Sequence, residues 1–465
     1  MRRRSTPRAA AAAAAAALVI TTTLSLAATV PAPAPASVPQ LPTERVGRLA
    51  AAPGGDLWFT LDASFVSGVL HPDGTTRTWT IPRPVQLEDD QPPLAADPAG
   101  GAWLAVTPPG GGGRDVLRLD ARAAEPRRVA HTTDPVWELA ATPEGLWWTG
   151  PLGLTLLPTG GAPRLVAPGS VSSLTPAPAG GVWIHRSRPA RDGTLPAGEV
   201  ERWTAAGRQA ASPVPWSTDL LADDGRGGLW MLSETFGYDA VERLDTATGA
   251  RGSVACPVCA APRSLLPAPA GGVYVRASDG EDGSVVAHVP AAGGGAPRVL
   301  ERRAHDGGAP SSGALAVRAD DGTLAIGRGA PARLTLLDPA TGAARDVRLD
   351  VPRDTVPPRL ALRPIDVREG RVRVPFTCGE PCMATATVTL TERERRRLRL
   401  TRGEASVAYD AAPGAPGERA TVAARLAAPV RRALRHRAVR ARVRLTASDV
   451  AHNTVTVTRT VTLRR

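Results

Sequence analysis

The sequence predicts an all-β protein, a seven-bladed β-propeller followed by a C-terminal immunoglobulin-like β-sandwich. Three observations carry the prediction. A turn followed by a short strand recurs seven times at spacings of 36 to 51 residues, with an aromatic at one strand position in six of the seven. Short alternating runs bounded by Gly, Pro and Asp fill the gaps between them. From residue 359 to 465 the recurrence stops, but the alternation of apolar and polar residues continues.

The recurring segments are Gly54-Gly55-Asp56-Leu57-Trp58, Gly100-Gly101-Ala102-Trp103, Glu144-Gly145-Leu146-Trp147, Gly180-Gly181-Val182-Trp183, Gly227-Gly228-Leu229-Trp230, Gly271-Gly272-Val273-Tyr274 and Asp321-Gly322-Thr323-Leu324-Ala325. An apolar stretch such as Leu94-Ala95-Ala96 precedes each, and a strand and turn follow most, as in Val200-Glu201-Arg202-Trp203 and Val241-Glu242-Arg243-Leu244-Asp245. Four strands in a period near 40 to 50 residues are the signature of a propeller blade. On this reading the repeated aromatics are wedges packed between blades rather than platforms for a ligand. The many Pro (46) and Gly (47) are then turn chemistry, not low complexity.

The remaining segments follow in order. Residues 1–36 hold Arg2, Arg3, Arg4 and Arg8, an uncharged run from Ala9 to Val30 and a Pro/Ala stretch, the parts of a secretory signal peptide. Cleavage after Ala27 or Ala36 is expected, with retention as a membrane anchor the alternative. The propeller is assigned to residues 37–352, a linker to 353–358, and the sandwich to 359–465, with strands expected at 371–378, 384–390, 421–426, 440–447 and 454–463. Residues 41–50 could start the first blade or complete the last.

The chain is therefore expected to be secreted or associated with the cell wall. Export makes two local disulfides the expected state of Cys256 with Cys259 and of Cys378 with Cys382. A redox or zinc role for the first pair is the alternative. All 56 basic residues are Arg, so their abundance alone does not indicate nucleic-acid binding, and no specific nucleic-acid partner is expected. The charge is nonetheless uneven: residues 359–465 carry 23 Arg against 9 carboxylates. That tail either contacts an anionic cell-wall polymer or presents a solvated arginine face.

Ligands of propellers meet the face that carries the loops entering each innermost strand. Those loops supply Asp89, Asp90, His131, Asp134, Trp137, Glu138, Trp216, Asp219, His305 and Asp306. The loops between second and third strands add Glu234, Tyr238, Asp279, Glu281 and Asp282. Such an acidic and aromatic funnel suits a carbohydrate, a peptide or another small molecule. The sequence holds no Gly-x-Ser-x-Gly, His-Glu-x-x-His or phosphate-loop motif. The expectation is thus a monomeric, non-enzymatic binding or scaffold protein without cofactor, catalytic residues or metal ligands.

The blade motif resembles that of the streptogramin lyase (virginiamycin B lyase) family, most clearly in Ala52-Pro53-Gly54-Gly55-Asp56-Leu57-Trp58-Phe59-Thr60 and Pro72-Asp73-Gly74. The resemblance implies the propeller fold. As an alternative function it implies a Mg²⁺-dependent lyase that opens a cyclic depsipeptide, with His305 or His131 as base and funnel carboxylates holding the metal. In the tail, Asp449-Val450-Ala451-His452-Asn453 resembles the last hairpin of immunoglobulin-like or fibronectin-like modules on exported bacterial proteins.

Overall fold

The computed structural model describes residues 45–61, 66–81, 92–108, 112–188, 197–215, 218–233, 240–259, 261–278, 283–291, 294–303, 314–329, 332–351, 356–380, 382–400, 406–414, 417–449 and 453–464. The expected signal segment lies outside them. The described chain is built from strands, with two short helices.

Residues 45–351 form a β-propeller of consecutive four-stranded antiparallel sheets. The first contains β1 (Val46–Ala51), β2 (Leu57–Leu61), β3 (Val66–Leu70) and β4 (Thr76–Thr80). The second contains β5 (Leu94–Ala96), β6 (Ala102–Val106), β7 (Arg114–Leu119) and β8 (Arg127–Thr132). The third contains β9 (Glu138–Thr142), β10 (Gly145–Gly150), β11 (Gly153–Pro158) and β12 (Arg164–Pro168). The fourth contains β13 (Ser173–Pro176), β14 (Val182–Arg188), β15 (Ala197–Thr204) and β16 (Gly207–Pro215). The fifth contains β17 (Thr218–Asp223), β18 (Gly228–Ser233), β19 (Ala240–Asp245) and β20 (Arg251–Ala255). The sixth contains β21 (Pro262–Pro267), β22 (Val273–Ser278), β23 (Ser284–Val289) and β24 (Arg298–Arg303). The seventh contains β25 (Leu315–Val317), β26 (Leu324–Arg328), β27 (Arg333–Leu337) and β28 (Ala344–Arg348).

Apolar seams between successive sheets hold the ring together. Trp58 and Val69 of the first sheet share a core with Leu104 and Leu119 of the second. Trp147 packs with Val182 and Ile184, Trp183 with Leu229 and Met231, Trp230 with Val273 and Val275, and Tyr274 with Leu324 and Ile326. Each aromatic thus sits between its own sheet and the next. Trp103 departs from the expectation of full burial. It is half-buried, donates to Asp97 at 2.9 Å, and lies under the Arg118 guanidinium at 4.9 Å, a cation–π contact at the seam's edge.

The third strands end in side-chain turns. Asp245 accepts from the Thr248 amide at 2.8 Å and its hydroxyl at 2.9 Å, and Asp338 accepts from the Thr341 hydroxyl at 2.6 Å. These bonds hold both carboxyls below the usual carboxylate range and explain the Asp that closes these strands.

The ring closes by packing. β1 pairs with β2, while β25–β28 complete their own sheet, so the first strand is not exchanged into the last. Leu57 and Phe59 share a core with Ala325, Leu334 and Leu336, and Arg45 makes one antiparallel bridge to Gly329.

Two further sheets follow. β29 (Leu360–Leu362) and β30 (Asp366–Arg368) pair along one side of β31 (Arg371–Cys378). After β31 come β32 (Cys382–Leu390), helix α1 (Glu392–Arg397), β33 (Ser406–Gly414), β34 (Arg419–Arg425), helix α2 (Ala428–Ala433), β35 (Val439–Ser448) and β36 (Thr454–Leu463). β34 pairs with the other side of β31, and the second sheet has the order β33-β32-β35-β36. Val372, Val374 and Phe376 share one core with Ala386, Val388, Val443 and Leu445 of the second sheet. The five expected strands are present.

The arginine-rich run from Glu392 is a helix rather than a strand. Its first turn is acidic and its last basic, which matches the helix dipole. Its buried Glu394 pairs with Arg437 at 2.6 Å. Both cysteine pairs are at disulfide distance, Cys256 with Cys259 (S–S 2.01 Å) and Cys378 with Cys382 (S–S 1.91 Å). The first closes the turn between β20 and β21, and the second joins β31 to β32 across the two sheets. Among the described residues no helix is long and apolar enough to cross a membrane.

Candidate functional site

In a four-stranded antiparallel sheet, the loop entering the first strand and the loop joining the second to the third lie at the same end. This end, the upper rim, is where the sequence places its candidates. The connector from β8 to β9 is described throughout and brings Asp134, Trp137 and Glu138 onto one short segment.

That connector is anchored by alternation. Val136 is buried in the seam with Trp148 and Leu146, which turns Trp137 outward to 45% exposure. The Trp137 amide donates to the Thr149 carbonyl at 2.9 Å, tying the connector to the end of β10. Asp134 is half-buried, and its amide donates to the Thr132 hydroxyl at 3.2 Å.

At the outer end of the connector lies a cavity of about 320 Å³, lined by His131, Thr132, Thr133, Asp134, Trp148 and Leu152 among others. His131 stands opposite Asp115 in the β7–β8 register, and its Nδ1 is 2.8 Å from Asp115 Oδ1. Arg128 lies 3.7 Å from the other Asp115 oxygen. The cavity therefore combines an apolar wall, three threonines, an imidazole oriented by a carboxylate, and a second carboxylate. Glycine permits its rim: Gly153 has φ of +133°, and a Cβ there would lie 2.0 Å from the Ala167 carbonyl oxygen.

At the inner end, Glu138 opens β9, opposite Thr149. Its Oε2 is shielded from solvent and has no hydrogen-bond partner among the described residues. Burial pushes its carboxyl up to about 7, offset only in part by the Arg48 charge on β1 and the Leu174 amide on β13. Burial thus favours the protonated form of this carboxyl to a higher pH than an exposed glutamate would keep it.

Two further polar groups on the upper half of the ring escaped sequence reasoning. His185 on β14 is fully buried, its Nδ1 lies 2.7 Å from the Ser172 hydroxyl, and burial pushes its imidazole down to about 4. Arg276 on β22 is 1% exposed and donates to the carbonyls of Ala314 (2.6 Å) and Gly327 (3.3 Å), clamping the sixth sheet to the seventh. Burial and the neighbouring Arg328 push it down to about 9, while Glu301, paired with Arg328, works against them. No motif marks either group, because each looks like one polar position inside an ordinary strand.

Of the other candidates, Asp219 is the second residue of β17. Asp89, Asp90, Trp216, His305 and Asp306 lie outside the described residues, as do Glu234, Tyr238, Asp279, Glu281 and Asp282. Among the described residues no three His, Cys, Asp or Glu side chains are grouped to hold a metal ion.

No family model matches the chain, and no curated protein matches it. Solved structures do. A streptogramin B lyase structure matches at 14% identity and a TM-score of 0.45, over 63% of this chain and 95% of that one. Virginiamycin B lyase from Staphylococcus aureus matches at 16% identity and 0.43, over 62% and 94%. The tricorn protease matches at 10% identity and 0.47, over 66% and 35%.

Proposed function

We propose that the protein is an exported, monomeric binding protein: a seven-bladed propeller at residues 37–352, a linker at 353–358, and an immunoglobulin-like sandwich at 359–465. Its upper rim engages a small polar extracellular ligand, of which a sugar unit is the best fit. The observation that carries this reading is the cavity beside the β8–β9 connector. Its volume, about 320 Å³, falls at the low end of small-molecule sites, which span ~300–1,000 Å³. Its lining pairs an aromatic wall with hydroxyls, an imidazole and a carboxylate, the mixture that stacks on a sugar face and bonds its hydroxyls. The seven sheets, the mutual packing of the two C-terminal sheets and the two cysteine pairs support the architecture and the exported state.

The test is a titration of the full chain with a panel of neutral oligosaccharides, followed by tryptophan fluorescence. Substitutions in the cavity lining, His131→Ala and Asp134→Asn, are expected to weaken binding by about tenfold, or ~1.4 kcal/mol. Failure of every oligosaccharide to bind would reject the sugar assignment.

One observation favours a second reading. The Asp115-oriented His131 at the cavity wall has the arrangement of a general base. A lyase acting on a cyclic depsipeptide, aided by Mg²⁺, would use it. Incubation of the protein with such a substrate, with and without Mg²⁺, decides between the two. Ring opening that His131→Ala abolishes would replace the binding-protein reading.

A further inference from the structure

The sheet β33-β32-β35-β36 has one face in the core and one outside, and the outer face has an unusual composition. Along β35, Val439, Ala441, Val443 and Leu445 are buried while Arg440, Arg442 and Arg444 are exposed. The register sets each arginine against threonine. Arg444 lies between Thr387 and Thr458, Arg442 between Thr389 and Thr460, and Arg440 beside Thr462. The next row continues as Thr385, Thr446 and Thr456, and Tyr409, 68% exposed, closes the Arg444 row on β33. None of the outward residues named in these rows is a carboxylate.

Folding alone does not require this arrangement. Threonine at outward positions satisfies strand propensity, but three arginines on alternate residues, spaced ~7 Å apart, repel one another. Arginines that are largely buried elsewhere in the chain are neutralised: Arg118 pairs with Asp97, Arg186 with Glu201, Arg243 with Asp224 and Arg437 with Glu394. No ion pair joins Arg440, Arg442 or Arg444 to a carboxylate among the described residues. A straight cationic ridge flanked by two hydroxyl ladders complements a flexible linear polyanion with one phosphodiester per repeat. Arginine forks take the phosphates in bidentate fashion, and the threonine hydroxyls donate to the remaining oxygens. A DNA duplex fits less well, since a flat face offers no element to enter a groove.

We propose that this face is a docking surface for a polyol-phosphate polymer, read by Arg440, Arg442 and Arg444. The surface is distinct from the upper rim, and occupancy of one does not require the other.

The full chain would be titrated with poly(glycerol phosphate), with duplex DNA, and with phosphatidylglycerol vesicles at fixed salt. Binding of poly(glycerol phosphate) in preference to both is expected. Three phosphate contacts predict a loss of roughly 20-fold in affinity between 50 and 200 mM salt. Replacing the ridge by Arg440→Thr, Arg442→Thr and Arg444→Thr extends the threonine ladders without touching the core. It should reduce affinity at least tenfold and flatten the salt dependence. The matched control, Arg371→Thr, Arg373→Thr and Arg425→Thr on the other sheet, removes the same charge and should change affinity less than threefold. Equal losses in both variants would show diffuse attraction by net charge and overturn the proposal. So would binding of DNA or vesicles as tightly as the polymer, or no binding of the polymer at all.

Discussion

At the scale of single residues, burial shifts Glu138 and His185 in opposite directions. Glu138 has an ordinary value of 4.5 and stands at about 7 in the fold, so between these the folded state keeps a proton that the unfolded chain gives up. Its contribution therefore falls as pH rises from about 4.5 to about 7. His185 goes from 6.5 down to about 4, so the unfolded chain takes its proton first, and stability is lost as pH falls through that window. Glu138→Gln should raise stability by ~1–3 kcal/mol near pH 8 and have little effect below about pH 4. Urea unfolding across pH should show the loss of stability between about pH 4.5 and 7 diminished in this variant, and an unchanged pH profile would refute the assignment. Asp134, Trp137 and Glu138 were legible in the sequence because they lie on an entry loop, outside the repeated aromatic slot. The His131–Asp115 pair was not, since the two residues are sixteen apart and meet only through the β7–β8 register.

Among elements, the aromatic strands decide stability. Trp147 is fully buried in the seam between the third and fourth sheets, so Trp147→Ala should cost ~3–5 kcal/mol in a denaturant titration. Trp103 is half-buried, and its replacement should cost ~1–2 kcal/mol. Equal costs would contradict the seam assignment. Gly153→Ala forces a Cβ against the Ala167 backbone at a positive φ and should destabilise by ~1–3 kcal/mol while also distorting the cavity. The strands were readable from alternation, whereas α1 was not. Its arginine run has no apolar periodicity, and tertiary burial of Glu394 against Arg437 fixes it as a helix.

For the whole molecule, the seam between the first and seventh sheets is the one held by side-chain packing where the chain closes on itself, since β1 does not cross into the last sheet. Val46 is buried there beside Gly327. Val46→Asp places an unpaired charge in that seam and should cost ~3 kcal/mol or more. Amide exchange should then accelerate in β1 and β25–β27 before β17–β19. Uniform acceleration would mean that the ring opens with no preferred seam.

The sequence by itself determined the repeat, the strands and the separation of an arginine-rich tail, because hydrophobic alternation and turn residues are local and recur. Tertiary structure decided how the ring closes, which carboxyl is shifted, that Arg276 clamps two sheets, and that three tail arginines align on one face. Those depend on register and burial, and both are set by residues far apart in the chain.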